Sequence, residues 1–223
     1  MKFNQLLKGS FRMGNCNQIN INMLNVEHFP ESELISRLRK VTLLEDRDAR
    51  PYENTFISLE NISVLDLCPP QRYALRAELL KVRELKWMLS DRGIDLFNIG
   101  GFIRITLDGV PEPIDLLPPV VEETIERNGR VFNLVCDGLH RTYMALLESV
   151  IPQVIFIRGI PKNLPYYAFP ISENDPWSKI EIRDDLPDWF IKKWHRIPNN
   201  KRLYRDFNSA FCNVGGPRGN WKK

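Results

Sequence analysis

The sequence predicts an α+β fold, strands and helices mixed along one chain, and three stretches carry that prediction. Residues 131–149, VFNLVCDGLHRTYMALLES, read as a buried strand from Val131 to Cys136, a break at Asp137-Gly138, and a helix through Tyr143, Ala145, Leu146 and Leu147. Gln71 to Ser90 is the strongest helix. Tyr73, Leu75, Leu79, Val82, Leu85, Trp87, Met88 and Leu89 form its apolar face, Pro69-Pro70 opens it and Gly93 closes it. Gly101 to Leu107 is a short strand that stops at the turn signal Asp108-Gly109.

The other elements follow in order. Residues 1–30 are Asn-rich and weakly periodic, which predicts a loosely structured arm. Glu31 to Leu44 reads as an amphipathic helix after Pro30, because Leu34, Ile35, Leu38 and Val41 recur at helical spacing. Glu45 to Asn54 is charged and reads as a linker. A Pro-rich connection through Pro111, Pro113, Pro118 and Pro119 leads to a short extended piece at Val120-Val121. Asn128-Gly129 is a hairpin turn into the Val131 strand. Two short helices are expected near the C-terminus. Pro187 to His195 is the first, with Asp185 as its cap. The second is capped by Asn199 or Asn200 and runs to about Phe211, with Leu203, Tyr204, Phe207 and Phe211 on one side. Arg196-Ile197-Pro198 between them leaves two arrangements open, a helix-turn-helix and two helices packed on the core. Gly215-Gly216-Pro217-Arg218-Gly219 reads as a flexible tail.

Composition excludes several classes. A chain of 223 residues with 43% hydrophobic and 26% charged residues is a folded protein rather than a disordered one. No apolar stretch approaches the ~20 residues that span a bilayer, and the N-terminus has no continuous signal-peptide core, so a cytoplasmic protein without membrane partners is expected. Cys16, Cys68, Cys136 and Cys212 are scattered, with no C-x-x-C pair, which argues against a zinc knuckle and a disulfide scaffold. Charge is uneven. From Lys192 to Lys223, nine Lys or Arg residues face one acid, Asp206, and interleave with Trp194, Tyr204, Phe207, Phe211 and Trp221. Glu173, Asp175, Glu181, Asp184, Asp185 and Asp188 form an acidic stretch just before. Basic plus aromatic suits DNA or RNA, whose phosphates need cations and whose bases stack. A solvated face with its core aromatics gives the same composition.

The turn at 137–141 carries the chemistry. The first N–H groups of a helix have no intrahelical partner and the dipole is positive there, so a strand, a glycine turn and a helix start form an anion site. Arg141 is the first candidate phosphate ligand, since a guanidinium offers a charged bidentate fork; its structural alternative is an ion pair with Asp137. His140 adds a donor to the same phosphates, or stands as a polar helix-start residue facing water. Gly138 and the backbone at Leu139 let the chain approach the ligand. For Asp137 four roles stay open: orienting the turn, binding a magnesium ion, acting on a substrate hydroxyl, and capping the helix.

The order apolar strand, Asp137-Gly138-Leu139-His140-Arg141, then a helix with Ala145 four residues after the Arg, resembles the ParB/sulfiredoxin-like superfamily. Residues 57–67, ISLENISVLDL, resemble the family's opening strand and Glu-bearing turn, the Gln71–Arg92 helix before Gly93-Ile94 its helix, and Ile151 to Phe156 its closing strand. The resemblance covers roughly residues 55–160 and implies a small mixed sheet with packed helices binding a nucleotide at the turn. It implies three parts: an arm and helix over 1–54, a nucleotide-binding core over 55–160, and a helical C-terminal extension with a basic tail over 161–223. Leu139 stands where sulfiredoxin has its reactive Cys, so sulfinic-acid reduction is not expected. ParB partition proteins carry Gly-Glu-Arg-Arg at the turn, where this chain has Gly138-Leu139-His140-Arg141. Free-serine kinases keep the Asp-Gly and the final Arg, matched here by Asp137, Gly138 and Arg141, and use an upstream Glu as general base, for which Glu60 is the candidate. The implied activity is phosphoryl transfer from, or hydrolysis of, a nucleoside di- or triphosphate (ATP, ADP or CTP) with Mg²⁺, acting on a small hydroxyl-bearing acceptor or water. The rival is a DNA-binding ParB-like protein in which the nucleotide is a switch, and a subunit that only binds a partner is the third reading. The C-terminal segment discriminates: folded over the Asp137 turn it favours an enzyme, because a lid excludes water; projecting away it favours DNA.

Overall fold

The computed structural model describes residues 23–172 and 174–215. The start of the expected arm with Cys16, the acidic Glu173, and the tail from Gly216 through Pro217, Arg218, Gly219 and Trp221 lie outside the described residues. In chain order the elements are β1 (Met23–Pro30), α1 (Glu31–Leu38), β2 (Thr42–Leu43), β3 (Phe56–Asn61), β4 (Tyr73–Leu75), α2 (Arg76–Ser90), β5 (Gly101–Leu107), β6 (Ile114–Leu116), β7 (Val120–Ile125), β8 (Val131–Asp137), α3 (Leu139–Leu147), β9 (Gln153–Arg158), β10 (Glu181–Arg183) and β11 (Arg205–Asp206). The fold is α+β.

The four-stranded sheet β3-β9-β7-β8 is the frame of the site, mixed as expected: β7 runs parallel to β9, the other neighbours antiparallel. Side chains alternate across a strand. Val154 and Phe156 therefore join one apolar cluster with Val121, Val135, Leu79, Leu89 and Tyr143, under α2 and α3. Ile155 and Ile157 join a second, with Val120, Leu34, Leu38, Phe102 and Phe211. Burial on both faces explains why β9 is an unbroken apolar run. The three-stranded sheet β1-β5-β6 is antiparallel throughout, and Gly109 turns β5 into β6 with φ +72°.

Several expectations are corrected, each by a tertiary partner. The end of the expected arm is β1, because residues 23–30 pair with β5. The first helix stops at Leu38 rather than Leu44, since Thr42-Leu43 pair antiparallel with Arg205-Asp206. The second helix begins at Arg76, not Gln71, because Tyr73 to Leu75 lie parallel to Glu181–Arg183. The extended piece at Val120-Val121 is a six-residue strand, β7. Val131 is exposed, while Leu134 and Val135 are buried.

The largest correction concerns the C-terminus, where the expected helical extension does not form. Pro187 to His195 is irregular, and Trp189 and Trp194 are exposed. Asn200–Leu203 and Phe207–Ser209 are single 3₁₀ turns on either side of β11. The helix-turn-helix is therefore excluded for these residues. Leu203 and Arg205 point in and Tyr204 points out, a period of two that belongs to extended chain. The reason is Arg205, 2% exposed. Its Nε and Nη2 donate to the two carboxylate oxygens of Glu122, each at 2.9 Å, and its remaining N–H groups reach the carbonyls of Leu164 (2.8 Å), Pro165 (3.1 Å) and Leu203 (2.9 Å). Tyr52, in the expected linker, donates its hydroxyl to Glu122 Oε1 at 2.7 Å and is fully buried.

Candidate functional site

The turn between β8 and α3 takes the expected form. Asp137 ends the strand, Gly138 stands at φ 80°, ψ 22° as the residue before the helix, and α3 starts at Leu139. The glycine is required twice over. Its φ is left-handed, and a Cβ there would meet Pro119 Cα and Arg141 Nη2, both at 2.9 Å. Pro119 precedes β7, whose first residue Val120 pairs with Asp137. The turn is thus wedged against a neighbouring backbone, and the first N–H groups of α3 have no intrahelical acceptor. The Leu139 side chain is buried in the same core cluster as Tyr143 and Met144.

Arg141 reaches inward. Its Nη1 donates to the Leu117 carbonyl and its Nη2 to Asp137 Oδ2 at 3.1 Å, and its side chain is 11% exposed. Burial lowers its pKa, with Asp137 opposing. The structural alternative for Arg141, the ion pair with Asp137, is formed. Asp137 remains about one-third exposed. Among the described residues no group of three His, Cys, Asp or Glu side chains is placed to hold a metal ion.

His140 joins two helices. Its Nε2 lies 3.1 Å from the backbone nitrogen of Leu75, the residue before α2, and accepts that N–H. A ring nitrogen that accepts carries no proton, so the imidazole is neutral with its proton on Nδ1. Burial lowers its pKa below the usual 6.5, partly opposed by Glu78 and Asp137 and reinforced by Lys193 and Lys81. A histidine whose folded pKa is depressed binds its proton more readily when unfolded, so stability falls as pH drops below about 6.5. The melting temperature is accordingly expected to decline between pH 7 and pH 5, and less steeply in His140→Gln than in the wild type. Equal slopes for the two proteins would remove His140 as the cause.

Glu60 is not brought to this turn. It lies on β3 itself, not in a turn, opposite Val154 of β9. β3 and β8 are the two edges of the sheet, three strand spacings or roughly 14 Å apart. Both its oxygens are held by Arg158, at 2.6 and 3.0 Å, and Ser58 donates to it at 2.6 Å. The Arg158 hydrogen bonds lower its pKa, the wrong direction for a general base at neutral pH.

The structure adds a side chain that nothing in the sequence singles out. Phe169 N–H donates to the Trp194 carbonyl (2.8 Å) and Arg196 N–H to the Tyr167 carbonyl (2.9 Å). This antiparallel bridge lays residues 193–196 along Tyr166 to Phe169. Lys193 Nζ then reaches the hydroxyls of Tyr167 and Tyr166, the latter at 3.5 Å, and lies 4.9 Å from the Tyr167 ring centre. Tyr166 in turn donates to the Cys136 carbonyl at 2.9 Å, next to Asp137. Burial lowers the pKa of Lys193 to about 8, with Cys136 and Asp137 opposing. In the sequence Lys193 was one of many basic tail residues, with no signal separating it from its neighbours. Cys136 itself is partly buried, its thiol pushed well up by burial and donating to the Leu134 carbonyl at 3.5 Å, which makes it a poor nucleophile.

A cavity of about 550 Å³ lies elsewhere, between Leu43, Asp46, Lys162, Pro165, Arg202 and Leu203. No helix of the described residues is long and apolar enough to cross a membrane. A family model described as the ParB CE domain matches residues 33–181, which takes in the 137–141 turn and leaves out Lys193 and Arg205. Comparison with curated proteins and with solved structures gave no match.

Proposed function

The chain belongs to the ParB CE domain family, and from that premise we propose that its Asp137–Arg141 turn holds the phosphates of a nucleoside di- or triphosphate, ATP, ADP or CTP, for transfer to a small hydroxyl-bearing acceptor or to water. The observation that carries this reading is Gly138. A left-handed glycine jammed against Pro119 is kept where the backbone has to come close and the N–H groups of α3 have to stay open. A second observation bears on the chemistry. Residues 193–196 pair with Tyr167 to Phe169, and Lys193 reaches Tyr166, whose hydroxyl donates to the Cys136 carbonyl next to Asp137; a segment held this near the turn would favour a transfer reaction by excluding water.

The roles then fall as follows. The N–H groups of Leu139 and His140 face the phosphates, and His140 offers Nδ1–H as a donor while Nε2 stays on Leu75. Arg141 holds the turn from beneath. Asp137 orients the acceptor or the metal. A single, partly exposed carboxylate fits an Mg²⁺ ion carried mainly by the nucleotide's own phosphates, whose charge it would neutralise. Glu60 has no part in this arrangement.

The test is a thermal-shift and calorimetry screen of the full chain with ATP, ADP, CTP and GTP, with and without Mg²⁺, followed by an assay of phosphate release. A nucleotide at 100 times its Kd stabilises the fold by roughly 2.7 kcal/mol. No shift and no heat with any of the four would end the reading. The second reading, DNA binding with the nucleotide as a switch, is favoured by Trp189 and Trp194, both exposed beside the exposed Lys192. Adding duplex DNA to the same screen separates the two, since phosphate-backbone binding weakens steeply with salt and nucleotide turnover would then follow DNA rather than acceptor.

A further inference from the structure

We infer that Lys193, brought near the turn by the segment that pairs with Tyr167 to Phe169 and by Tyr166, is the side-chain cation that meets the bound phosphates, and that Arg141 is not. This deepens the reading of the turn as a phosphate site and rests on it.

The two cations differ in how much of their charge is already neutralised. Arg141 is the only guanidinium within the turn, and both of its terminal nitrogens are committed, one to the Leu117 carbonyl and one to Asp137. Asp137 neutralises it. To reach a ligand it would have to abandon a buried carbonyl and its ion pair with the partly exposed Asp137, which costs more than a surface rearrangement. Lys193 is in the opposite condition. Its contacts are two neutral phenols and their rings, and it forms no ion pair with a carboxylate among the described residues. A largely enclosed ammonium without a counter-ion is expensive. It either gives up its proton, for which its lowered pKa is the sign, or receives an anion.

The placement supplies the anion's address. Tyr166 connects the lysine to the last residues of β8 through the Cys136 carbonyl. Asp137 and His140 are both close enough for their charges to be felt by, or to feel, Lys193. Of these groups Asp137 is already paired and His140 is neutral, so neither competes for the ammonium as a full counter-charge. A phosphate at the start of α3 would do so. The lysine reaches the site on an irregular segment rather than on a helix or strand, held by the Ala168–His195 bridge, so the same cation that binds the phosphate also pins the segment down.

The experiment uses the full chain, with pyrophosphate and ATP as probes. Trace acetylation of lysines at pH 8, read residue by residue by mass spectrometry, is expected to show Lys193 protected by either probe while Lys81 and Lys162 are not. Lys193→Met should weaken the binding of both by about 10- to 100-fold, the loss of one charge-assisted hydrogen bond, and Lys193→Arg should restore part of it. Thermal melts of both variants show whether the fold survives, and the protection pattern in the wild type stands without any variant. If the wild type binds the probes but Lys193 is unprotected and Lys193→Met binds as tightly, the inference is overturned and the site reading survives. If the wild type binds neither probe, the site reading itself falls.

Discussion

Arg205→Ala is expected to lower the stability of the chain by about 3 to 5 kcal/mol, the cost of removing one partner from a buried ion pair. For a chain of this size that is a fall of about 6 to 20 °C in melting temperature. The loss exceeds a missing contact because two kinds of group are stranded together. Glu122 keeps a buried carboxylate that still accepts from Tyr52 but has lost both guanidinium hydrogen bonds, and the carbonyls of Leu164, Pro165 and Leu203 lose their partner. Glu122 is 1% exposed, so water does not replace what is removed. Tyr52→Phe, which takes away one hydrogen bond, should cost about 1 kcal/mol. The pair Arg205→Met with Glu122→Leu should cost less than the two single changes summed, since it removes both charges, though not the carbonyls' need for a donor. Chemical denaturation of Arg205→Ala, Tyr52→Phe, Arg205→Met, Glu122→Leu and the double variant measures all of this. An Arg205→Ala protein that melts within a degree of the wild type would show that the network contributes nothing. The same network implies that a chain cut after Ile191 loses β11, Arg205 and the buried Phe211, so unfolding rather than clean removal of a nucleic-acid arm is the expected result of that truncation.

Gly138→Ala carries the second-largest effect, about 2 to 5 kcal/mol, from two additive causes. A left-handed backbone costs a non-glycine residue roughly 1 to 2 kcal/mol, and forcing a methyl group into a filled space costs about 1 to 3 kcal/mol. The Arg141 end can yield, because it is the tip of a flexible side chain. Pro119 Cα, also 2.9 Å from the added atom, is backbone and cannot. Gly129→Ala is the internal control. Its φ is +79°, nearly that of Gly138, and nothing lies within 4 Å of an added Cβ. The difference in denaturation free energy between the two variants therefore isolates the close approach from the backbone strain. Equal losses would mean that Pro119 gives way, and that the turn is not held as tightly as nucleotide binding through its N–H groups requires. Nucleotide affinity should fall in Gly138→Ala and be unchanged in Gly129→Ala.

The sequence by itself determined the local features of this protein. The strand to Asp137, the glycine and the helix from Leu139 are all encoded within about ten residues: an apolar run, a residue that tolerates φ +80°, and a helical apolar spacing. The turns at Gly109 and Asn128-Gly129, and strand β5, were legible for the same reason, while β3 and β9 were reached through the family resemblance. The family followed from the same short motif, because a strand–glycine–helix turn depends on neighbours in sequence. What only the tertiary structure decided were features whose partner lies far along the chain. Tyr73 to Leu75 carry good helical spacing and are nonetheless a strand, since Glu181–Arg183 pair with them. Met23 to Pro30 have weak periodicity and become a strand against β5. Leu203 to Phe211 match a helix face, yet Arg205 is drawn into the interior by Glu122, 83 residues away. A charged residue that points inward contradicts the polar-outside rule on which pattern reading depends, and only a paired carboxylate and three carbonyls make the inversion affordable. Charge assignment failed in the same way at the site. Arg141 reads first as a phosphate ligand and is held by Asp137 and the Leu117 carbonyl, Glu60 reads as a base and is locked to Arg158, and Lys193 reads as tail and lies against Tyr166 and Tyr167. Which cation has charge left to offer is a property of three-dimensional neighbours, and no spacing along the chain records it.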